Sequence, residues 1–559
     1  MIVSDVHELV DAFADGELEA EEAAAFRAHL PDCEACQREL HEIMMLAALT
    51  QTHAAELQTA APVVAATTPA QTADAAPTPP ASEVTKAKAD DGGAKVISLA
   101  SRRKRAFTAT LSALAMAAAL VVGWRITRPA PIVLASAETR PLEARLSYGN
   151  AERYRPYEVM RAMGPVREEV PITTLAQLEH DHDLHGLGVG YLLGGDGARA
   201  AEALAGAGDS AAVQSDRAAL ALQQHDALAA LAAADAALHA QPGQPEASWN
   251  RALALRDLGL PLTAAQTFDV VAAHNETGWA EEARRRASAL RAAEAERERA
   301  YRAAAAAGQA MIATGAAPPS DVVRAFAGLM RRDLYEAART APNRARVLGL
   351  LPVADAVDSA HALTERLRAA AADAPRRAAL AATYARLVAR PASLQPAEAD
   401  AFLAALAKAR ADDLRLGALV LLGRVATSRA EVRRIAVAEN DPWWLSLADE
   451  ADAEAALTAG DAAGAERLLA DADRRCLAAA IDFRCASLEL TLADAQLRQR
   501  KLPEARATAL AGLARARAAG VDPRDLERRF MLLLAEVARA GGQPGLAAAY
   551  VAEARLRMP

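Results

Sequence analysis

The chain is 559 residues long, and 52% of these residues are hydrophobic while only 4% are aromatic. Alanine supplies the hydrophobic excess, and the β-branched and aromatic residues that strands favour are sparse. The length allows about three or four domains, and we predict an all-α fold for them. The formal net charge is −9, with acidic and basic residues interspersed, which argues against a nucleic-acid binder because such proteins usually present a basic face.

Residues 1–50 have the pattern of a compact helical domain. Apolar residues from Leu9 to Leu30 recur at near-helical spacing, and the segment lacks the basic start and apolar core of a signal peptide. Residues 51–105 are instead rich in alanine, threonine and proline. Because such a composition cannot bury a core, we predict a disordered linker there, with a basic end.

Residues 106–124 form an apolar segment without a charged side chain. About 20 apolar residues span a bilayer as a helix, and Trp124 stands at the end of the segment, where an interfacial aromatic residue is favoured. A buried helix of a soluble domain is the alternative, but the segment has no polar face. We therefore predict one transmembrane helix.

The basic residues beside this segment predict its orientation. Four consecutive basic residues, 102–105, precede the segment, whereas Arg125 and Arg128 follow it. By the positive-inside rule, residues 1–105 lie in the cytoplasm and residues 125–559 lie on the other side of the membrane.

Residues 125–174 are predicted to form a juxtamembrane extension. Tyr148, Tyr154 and Tyr157 cluster among arginines in this segment, which is typical of a cap packed on the following domain. From residue 175 to residue 559, helices follow one another with short turns marked by glycine or proline.

The helices of residues 175–559 repeat along the sequence. Small and apolar positions recur, as in Ala218 and Ala252 or in Ala230 and Ala264. This spacing resembles the tetratricopeptide repeat, which has a period of about 34 residues and small residues that let two helices cross closely. Degenerate units with a period of about 40 residues follow near the end of the chain, while residues 295–440 are helical without a clear register. The pattern predicts a tetratricopeptide-like α-solenoid.

His29, Cys33 and Cys36 are the residues best suited to chemistry. Two thiolates three residues apart, with an imidazole just upstream, can close on one tetrahedral Zn²⁺. A domain of about 50 residues also needs such a staple, because its hydrophobic core alone is marginal. In the cytoplasm a cysteine pair of this kind is more often a metal site than a disulfide, and two incidental cysteines are the alternative.

A closed structural zinc site requires a fourth ligand. His7 is the best candidate, because it lies on the first predicted helix, which would pack back against the cysteine turn. His41 and Asp32 are the alternatives. We therefore predict that His7 completes the site.

The stretch HELVDAFADGELEAEEAAAFRAHLPDCEACQREL, residues 7–40, resembles the zinc-binding anti-sigma-factor domain of bacterial membrane regulators. Its early histidine, its DGEL turn and its His-x3-Cys-x2-Cys run match the pattern of that family. The resemblance implies a zinc domain of a few helices that, in many members, binds an extracytoplasmic-function sigma factor and keeps it from RNA polymerase. It also implies a bacterial inner membrane, with residues 125–559 in the periplasm.

A second resemblance covers three stretches further along the chain. They are RLSYGNAERYRPYE (residues 145–158), ASWNRALALRDLGL (247–260) and AAAYVAEAR (547–555). They are similar to the middle of large myxobacterial-type proteins that begin with this zinc domain and a membrane helix, continue through tetratricopeptide repeats, and can end in a caspase-like CHAT peptidase domain. The sequence offers no catalytic His/Cys pair and no serine-hydrolase, zincin or Walker motif, so we expect that the chain is not an enzyme.

Several other patterns are predicted to be structural. Residues 180–185 offer histidines and aspartates to a metal, but contiguous ligands in one loop cannot all point inward, so we expect a solvated turn. Gly186, Gly188 and Gly190 lack the preceding strand and the following Lys-Ser/Thr of a phosphate-binding loop, which favours close helix packing. Trp443 and Trp444, which follow Pro442, are expected in a core or as a wedge between repeats rather than as a ligand platform.

Cys476 and Cys485 could lie on adjacent antiparallel helices, near enough to form a bridge in an oxidising compartment. Two buried free thiols are the commoner outcome for such a pair. The sequence leaves both possibilities open.

These observations predict a membrane-anchored regulator. Its cytoplasmic zinc domain would bind a protein partner, a sigma factor, through surfaces around Phe13, Leu18, Phe26 and Leu40, and its outer repeats would sense or scaffold by protein contact. The alternative is an interaction scaffold, or the regulatory part of a CHAT-peptidase-type system, that does not act on a sigma factor. Direct nucleic-acid binding is not expected, since residues 1–50 are acidic.

Overall fold

The structure is a computed structural model of the chain. It describes residues 25, 26, 29, 33, 36, 134, 138–149, 151–157, 168, 170–358, 361–390, 393–520, 522 and 525–558. The chain divides into two compact units, Met1–Ala117 and Ala118–Pro559. The predicted linker and the apolar segment 106–124 lie outside the described residues. Of the helices in the described ranges, none is both long enough and apolar enough to cross a bilayer.

The second unit is helical throughout the part of residues 170–558 that the structure describes, in agreement with the predicted all-α fold. The only pairing of extended backbone among its described residues is a single bridge between Arg140 and Tyr157. In chain order the helices are α1 Ile172–His180, α2 Leu184–Leu193, α3 Gly197–Gly206, α4 Ala211–Gln223, α5 Ala227–Ala240, α6 Pro245–Asp257, α7 Pro261–Ala273, α8 Trp279–Thr314, α9 Ser320–Ala325, α10 Ala327–Thr340, α11 Arg344–Leu348, α12 Leu351–Val357, α13 Ala362–Asp373, α14 Ala378–Ala389, α15 Pro396–Lys408, α16 Asp412–Leu421, α17 Arg429–Glu439, α18 Pro442–Thr458, α19 Ala462–Ala478, α20 Asp482–Arg498, α21 Leu502–Ala518, α22 Leu526–Ala540 and α23 Pro544–Leu556.

The predicted tetratricopeptide-like period is confirmed by two helical hairpins, α4–α5 and α6–α7. Their first helices begin at residues 211 and 245, and their second helices begin at residues 227 and 261. The repeating alanines at positions 218, 230, 252 and 264 are all completely buried. A methyl group at each crossing point lets the two helix backbones approach closely, which explains why the sequence keeps small residues there.

Three further hairpins, α18–α19, α20–α21 and α22–α23, form the C-terminal part of the unit. Helices α18 and α20 begin at residues 442 and 482, and α19 and α21 begin at residues 462 and 502. The longer predicted period is therefore confirmed for two of these hairpins. Between them and the first repeats, helices α8 to α17 vary from 5 to 36 residues in length and follow no such period.

Cys476 and Cys485 form a disulfide, with Cα atoms 5.6 Å apart. The expectation of two free thiols, the commoner outcome for such a pair, is therefore wrong for Cys476 and Cys485. Cys476 lies in the last turn of α19 and Cys485 in the first turn of α20, so the short connection between two antiparallel helices brings the side chains together.

The last helix returns to the first repeats. Helix α23 packs against α5 and α7, and the two ends of the array share one hydrophobic core. The carboxylate of Glu553 accepts hydrogen bonds from the backbone N–H of Thr263, at 2.8 Å, and from the Thr263 hydroxyl, at 2.9 Å. Because these groups lie in the first turn of α7, a carboxylate from α23 caps the positive end of that helix. The array of hairpins therefore closes on itself.

Candidate metal centre and repeat surfaces

Three predicted zinc ligands meet in the first unit. His29 and Cys36 lie in helical backbone, and Cys33 lies in the non-helical backbone between them. One nitrogen of His29 and the Sγ atoms of Cys33 and Cys36 all lie within 4.8 Å of one another. His29 Nε2 lies 3.6 Å from the Sγ atom of Cys36. The predicted constellation is therefore brought together by the fold.

The distances suit a zinc ion. Zn–S bonds of about 2.3 Å and Zn–N bonds of about 2.0–2.1 Å at a tetrahedral angle place an N and an S ligand about 3.6 Å apart. The His29–Cys36 separation has this value. Two sulfurs and one imidazole are also the donors that Zn²⁺ prefers in structural sites. Zinc therefore fits the residues present.

The fourth ligand is not settled by the described part of the first unit. His7, His41 and Asp32, the three candidates, all lie outside the described residues. A sealed tetrahedral site needs one of them or another donor. That His7 completes the site stays a prediction.

Phe26 corrects one expectation about the partner surface. Its side chain is completely buried, and its ring centroid lies 6.5 Å from that of His29. Because the ring packs beside the imidazole of a predicted zinc ligand, Phe26 contributes to the interior beside the candidate site rather than to a surface available to a partner. The other residues predicted for that surface lie outside the described residues.

In the second unit, the segment before α1 packs on the repeats as a cap. We call residues 138–157 the cap segment. Its backbone N–H at Arg145 donates to Asn250 Oδ1 at 2.8 Å, and its carbonyl there accepts from Asn250 Nδ2 at 2.8 Å. The Trp249 indole N–H donates to the Glu143 carbonyl at 2.9 Å. Side chains of α6 thus hold the cap segment through its backbone.

The Arg145 side chain is buried in the repeats. It pairs with Glu246 at 2.7 Å and with Glu276, and its guanidinium carbon lies 4.6 Å from the Trp279 ring centroid. Together with Glu152 these carboxylates form a cluster that could hold a metal. A guanidinium already lies among them, so the cluster serves to fix the cap segment.

Burial has an electrostatic consequence for Glu246. Desolvation raises its pKa to about 7, although the nearby Arg145 guanidinium acts in the opposite direction. The Glu152 carboxylate raises the pKa further, because two like charges share one cation. The cap segment is therefore joined to the repeats by a group that titrates near neutral pH.

The run of histidines and aspartates at residues 180–185 is partly a solvated turn. His180 and His182 are exposed, as predicted, but Asp183 caps α2 and accepts a hydrogen bond from the Tyr148 hydroxyl. His185 Nε2 lies 2.7 Å from a carboxylate oxygen of Asp216, which is completely buried. The sequence did not reveal these two contacts, because both partners lie far from the run along the chain.

The glycines that follow are packing positions, as predicted. A Cβ atom at Gly188 would lie 2.7 Å from Leu204 Cγ, and one at Gly190 would lie 2.6 Å from a Leu175 methyl group. The predicted core position of Trp443 and its neighbour is also confirmed, since both rings are more than nine-tenths buried.

A groove runs across the first helices of the three C-terminal hairpins, α18, α20 and α22. It encloses about 550 Å³ and is open to solvent. Leucines from all three helices line it, together with charged residues of both signs. Leu532 is 38% exposed there. Apolar side chains among charged groups are suited to protein contact.

Comparison with known proteins bears mainly on the first unit. Residues 4–37 match the family model described as "Putative zinc-finger". These residues include all three clustered donors and His7. The match agrees with the resemblance to anti-sigma-factor zinc domains.

A search of the curated proteins finds no match. The crystal structure of yeast Tom70 is 13% identical in sequence, with 67% of this chain and 91% of that chain covered, at a TM-score of 0.26. A TM-score of this size does not establish a shared fold. These findings do not support the similarity to CHAT-domain proteins.

Proposed function

We propose that this chain is a single-pass regulator of the bacterial inner membrane whose cytoplasmic zinc domain binds an extracytoplasmic-function sigma factor. The zinc domain would hold the sigma factor away from RNA polymerase, and the helical repeats in the periplasm would sense or scaffold by protein contact. We propose that the protein acts by binding other proteins and is not an enzyme.

One observation carries the proposal: the donors of His29, Cys33 and Cys36 meet within 4.8 Å inside a segment that matches the zinc-finger family. A zinc ion at this site supplies folding free energy to a domain too small to fold on its core alone. The folded domain, rather than the ion, then presents the surface that a protein partner recognises.

The two cysteine pairs support the proposed topology. Thiolate ligands persist in a reducing compartment, whereas structural disulfides form in oxidising compartments such as the periplasm. Cys33 and Cys36 belong to the zinc site, and Cys476 and Cys485 form a disulfide. The proposal places the first pair in the cytoplasm and the second pair in the periplasm.

The repeats support the sensing or scaffolding role. The groove across α18, α20 and α22 exposes leucines between charged side chains, on the face that successive first helices share. Such a face can follow an extended or helical segment of a partner protein.

Affinity isolation of the tagged full chain from native membranes, with zinc present, tests the proposal. Bound proteins are identified by mass spectrometry, and the zinc content of the chain is measured in the same sample. The matched control is the chain with Cys33→Ser and Cys36→Ser, which keeps the repeats and removes two zinc ligands.

A sigma factor recovered with the wild-type chain, at about one zinc per chain, and absent from the control supports the proposal. Recovery of other cytoplasmic proteins without a sigma factor contradicts it and favours the interaction scaffold. Equal recovery of the sigma factor with both chains contradicts the role of the zinc site.

A further inference from the structure

A cavity of about 300 Å³ lies in the irregular middle part of the second unit, among α10, α13, α16, α17 and α18. Its size is at the lower end of the range of small-ligand pockets, about 300–1,000 Å³. Four of its walls, α10, α13, α16 and α17, come from the region where the repeat period is lost, and the fifth, α18, is the first helix of the C-terminal hairpins. Neither the zinc domain nor the groove of the C-terminal hairpins includes it.

The inner wall of the cavity is aromatic and apolar. The rings of Tyr335 and Trp444 have centroids 4.8 Å apart, and Leu363, Leu367 and Leu416 are also buried along the wall. Arg339 lies over the Trp444 ring, with its guanidinium carbon 4.6 Å from the ring centroid. Such a wall favours a ligand that has an apolar part.

Most charged residues around the cavity are paired with one another. Arg377 pairs with Asp413 at 2.7 Å, and Asp412 pairs with Arg434 at 2.9 Å. Arg339 donates to Glu336 at 2.8 Å. These pairs hold the walls in place and leave little charge for a ligand.

Two charged side chains of opposite sign remain. Glu439 lies half-buried at the end of α17, and Arg410 is exposed between α15 and α16. Within the described ranges of the chain, neither side chain forms a hydrogen bond or an ion pair. Burial, and then the Asp413 carboxylate, raise the pKa of Glu439, while the Arg366 and Arg339 guanidinium groups lower it. Both guanidinium groups bond to other carboxylates, those of Asp441 and Glu336, so Glu439 has no ion-pair partner of its own among the described residues.

We propose that this cavity binds a small zwitterion, an α-amino acid or a dipeptide with an apolar side chain. The ligand ammonium group pairs with Glu439, the ligand carboxylate pairs with Arg410, and the apolar side chain packs on Trp444 and the leucines. Glu439 is a half-buried carboxylate and Arg410 a guanidinium on the same cavity, and neither has an ion-pair partner among the described residues. A ligand that carries both charges supplies a partner to each of them. The bound ligand would be the chemical signal that the helical repeats of the proposed regulator sense. Binding of this ligand does not depend on whether residues 1–50 bind a sigma factor.

Isothermal titration calorimetry on the purified full chain, without any partner, tests this inference. The probes are L-leucine and L-alanyl-L-leucine. The blocked analogues are N-acetyl-L-leucine, which lacks the ammonium group, and L-leucinamide, which lacks the carboxylate. We expect at least one probe to bind, and each blocked analogue of leucine to bind at least tenfold more weakly than leucine.

The variants Glu439→Gln and Arg410→Gln locate the site. Each is expected to weaken probe binding at least tenfold, because each removes one partner of the zwitterion. Neither residue supports the fold by a side-chain bond among the described residues, so both variants should fold, as circular dichroism checks. The matched controls are Glu365→Gln and Arg368→Gln on the exposed face of α13, which should bind like the wild type.

Three outcomes overturn the inference. The first is no binding of either probe at millimolar concentration by a folded chain. The second is equal binding of the blocked analogues. The third is unchanged binding by both Glu439→Gln and Arg410→Gln, which places any site elsewhere. Because no sigma factor is present, none of these outcomes bears on the zinc domain.

Discussion

Asn250 holds the backbone of Arg145 by both of its polar groups, with its amide oxygen 2.8 Å from the Arg145 nitrogen and its amide nitrogen 2.8 Å from the Arg145 oxygen. The two residues are separated by 105 positions in the chain. Asn250 is completely buried on α6, so the cap segment completes the polar contacts of the first repeats. The cap segment is therefore part of the folded second unit.

The variant Asn250→Ala should destabilise the second unit by about 2–4 kcal/mol, because a buried backbone N–H and a buried carbonyl each lose a partner. Urea unfolding followed by tryptophan fluorescence measures the loss, since Trp249 and Trp279 lie beneath the cap segment. Gln177→Ala, which removes an exposed amide on α1, is the matched control and should leave the stability nearly unchanged. A loss below about 0.5 kcal/mol for Asn250→Ala would show that the cap segment does not depend on this contact.

The free energy of unfolding should fall as the pH rises from about 4.5 toward 7, because the folded chain must give up the proton that it holds on Glu246. Its pKa is about 7 in the folded chain, against an ordinary value of 4.5, so the folded state holds an extra proton between these values. The stabilisation is complete below pH 4.5 and is lost as the pH passes 7, by at most about 3 kcal/mol.

The variant Glu246→Gln isolates this effect, because the amide keeps an oxygen for Arg145 and cannot ionise. The free energy of unfolding of the variant should depend less on pH between 4.5 and 7 than that of the wild type. Glu179→Gln, an exposed position on α1, is the control and should leave the pH dependence unchanged. Parallel curves for the wild type and Glu246→Gln would contradict the assignment.

The variant Gly188→Ala should destabilise the chain by about 1–3 kcal/mol, because its Cβ would overlap Leu204 of α3, whose backbone nitrogen is also only 3.2 Å away. Gly149→Ala is the matched control, since nothing lies within 4 Å of its Cβ position. Thermal unfolding of the two variants measures the difference. Equal melting temperatures would mean that the α2–α3 contact is looser than the structure shows.

Reduction of the Cys476–Cys485 disulfide should lower the free energy of unfolding by about 2–3 kcal/mol, because the bond closes a short loop in the unfolded chain. Unfolding with and without a reductant measures this loss. The variant Cys476→Ser/Cys485→Ser should show no effect of the reductant on the second unit. Both cysteines are completely buried, so alkylation is done on the unreduced chain in denaturant. If it modifies these two cysteines, the disulfide is absent and the proposed topology loses this support.

The sequence predicted the local features of the fold well. The recurrence of alanine at positions 218 and 252 predicted two hairpins separated by one tetratricopeptide-like period. Small residues are needed at each helix crossing, so they recur in the sequence with the period of the repeat. The donors at positions 29, 33 and 36 were likewise evident, since ligands close in sequence keep a fixed spacing.

Contacts between distant residues could not be predicted in the same way. Glu553 caps α7 although it lies 290 residues from Thr263 in the chain. The sequence around either residue contains no pattern that identifies the other as its partner. The burial of Phe26 was also missed, because an apolar residue on a helix can face a core or a partner with the same spacing. The cavity among α10, α13, α16, α17 and α18 is lined by helices of which only α18 follows the repeat period, so no sequence pattern marks it.

In vitro transcription by RNA polymerase with the co-isolated sigma factor tests the central claim most directly. The full chain should inhibit transcription from a promoter of that sigma factor, with inhibition near one chain per sigma factor, while Cys33→Ser/Cys36→Ser should not inhibit. Transcription that the wild-type chain leaves unchanged, or that both chains inhibit equally, would contradict a zinc-dependent anti-sigma factor.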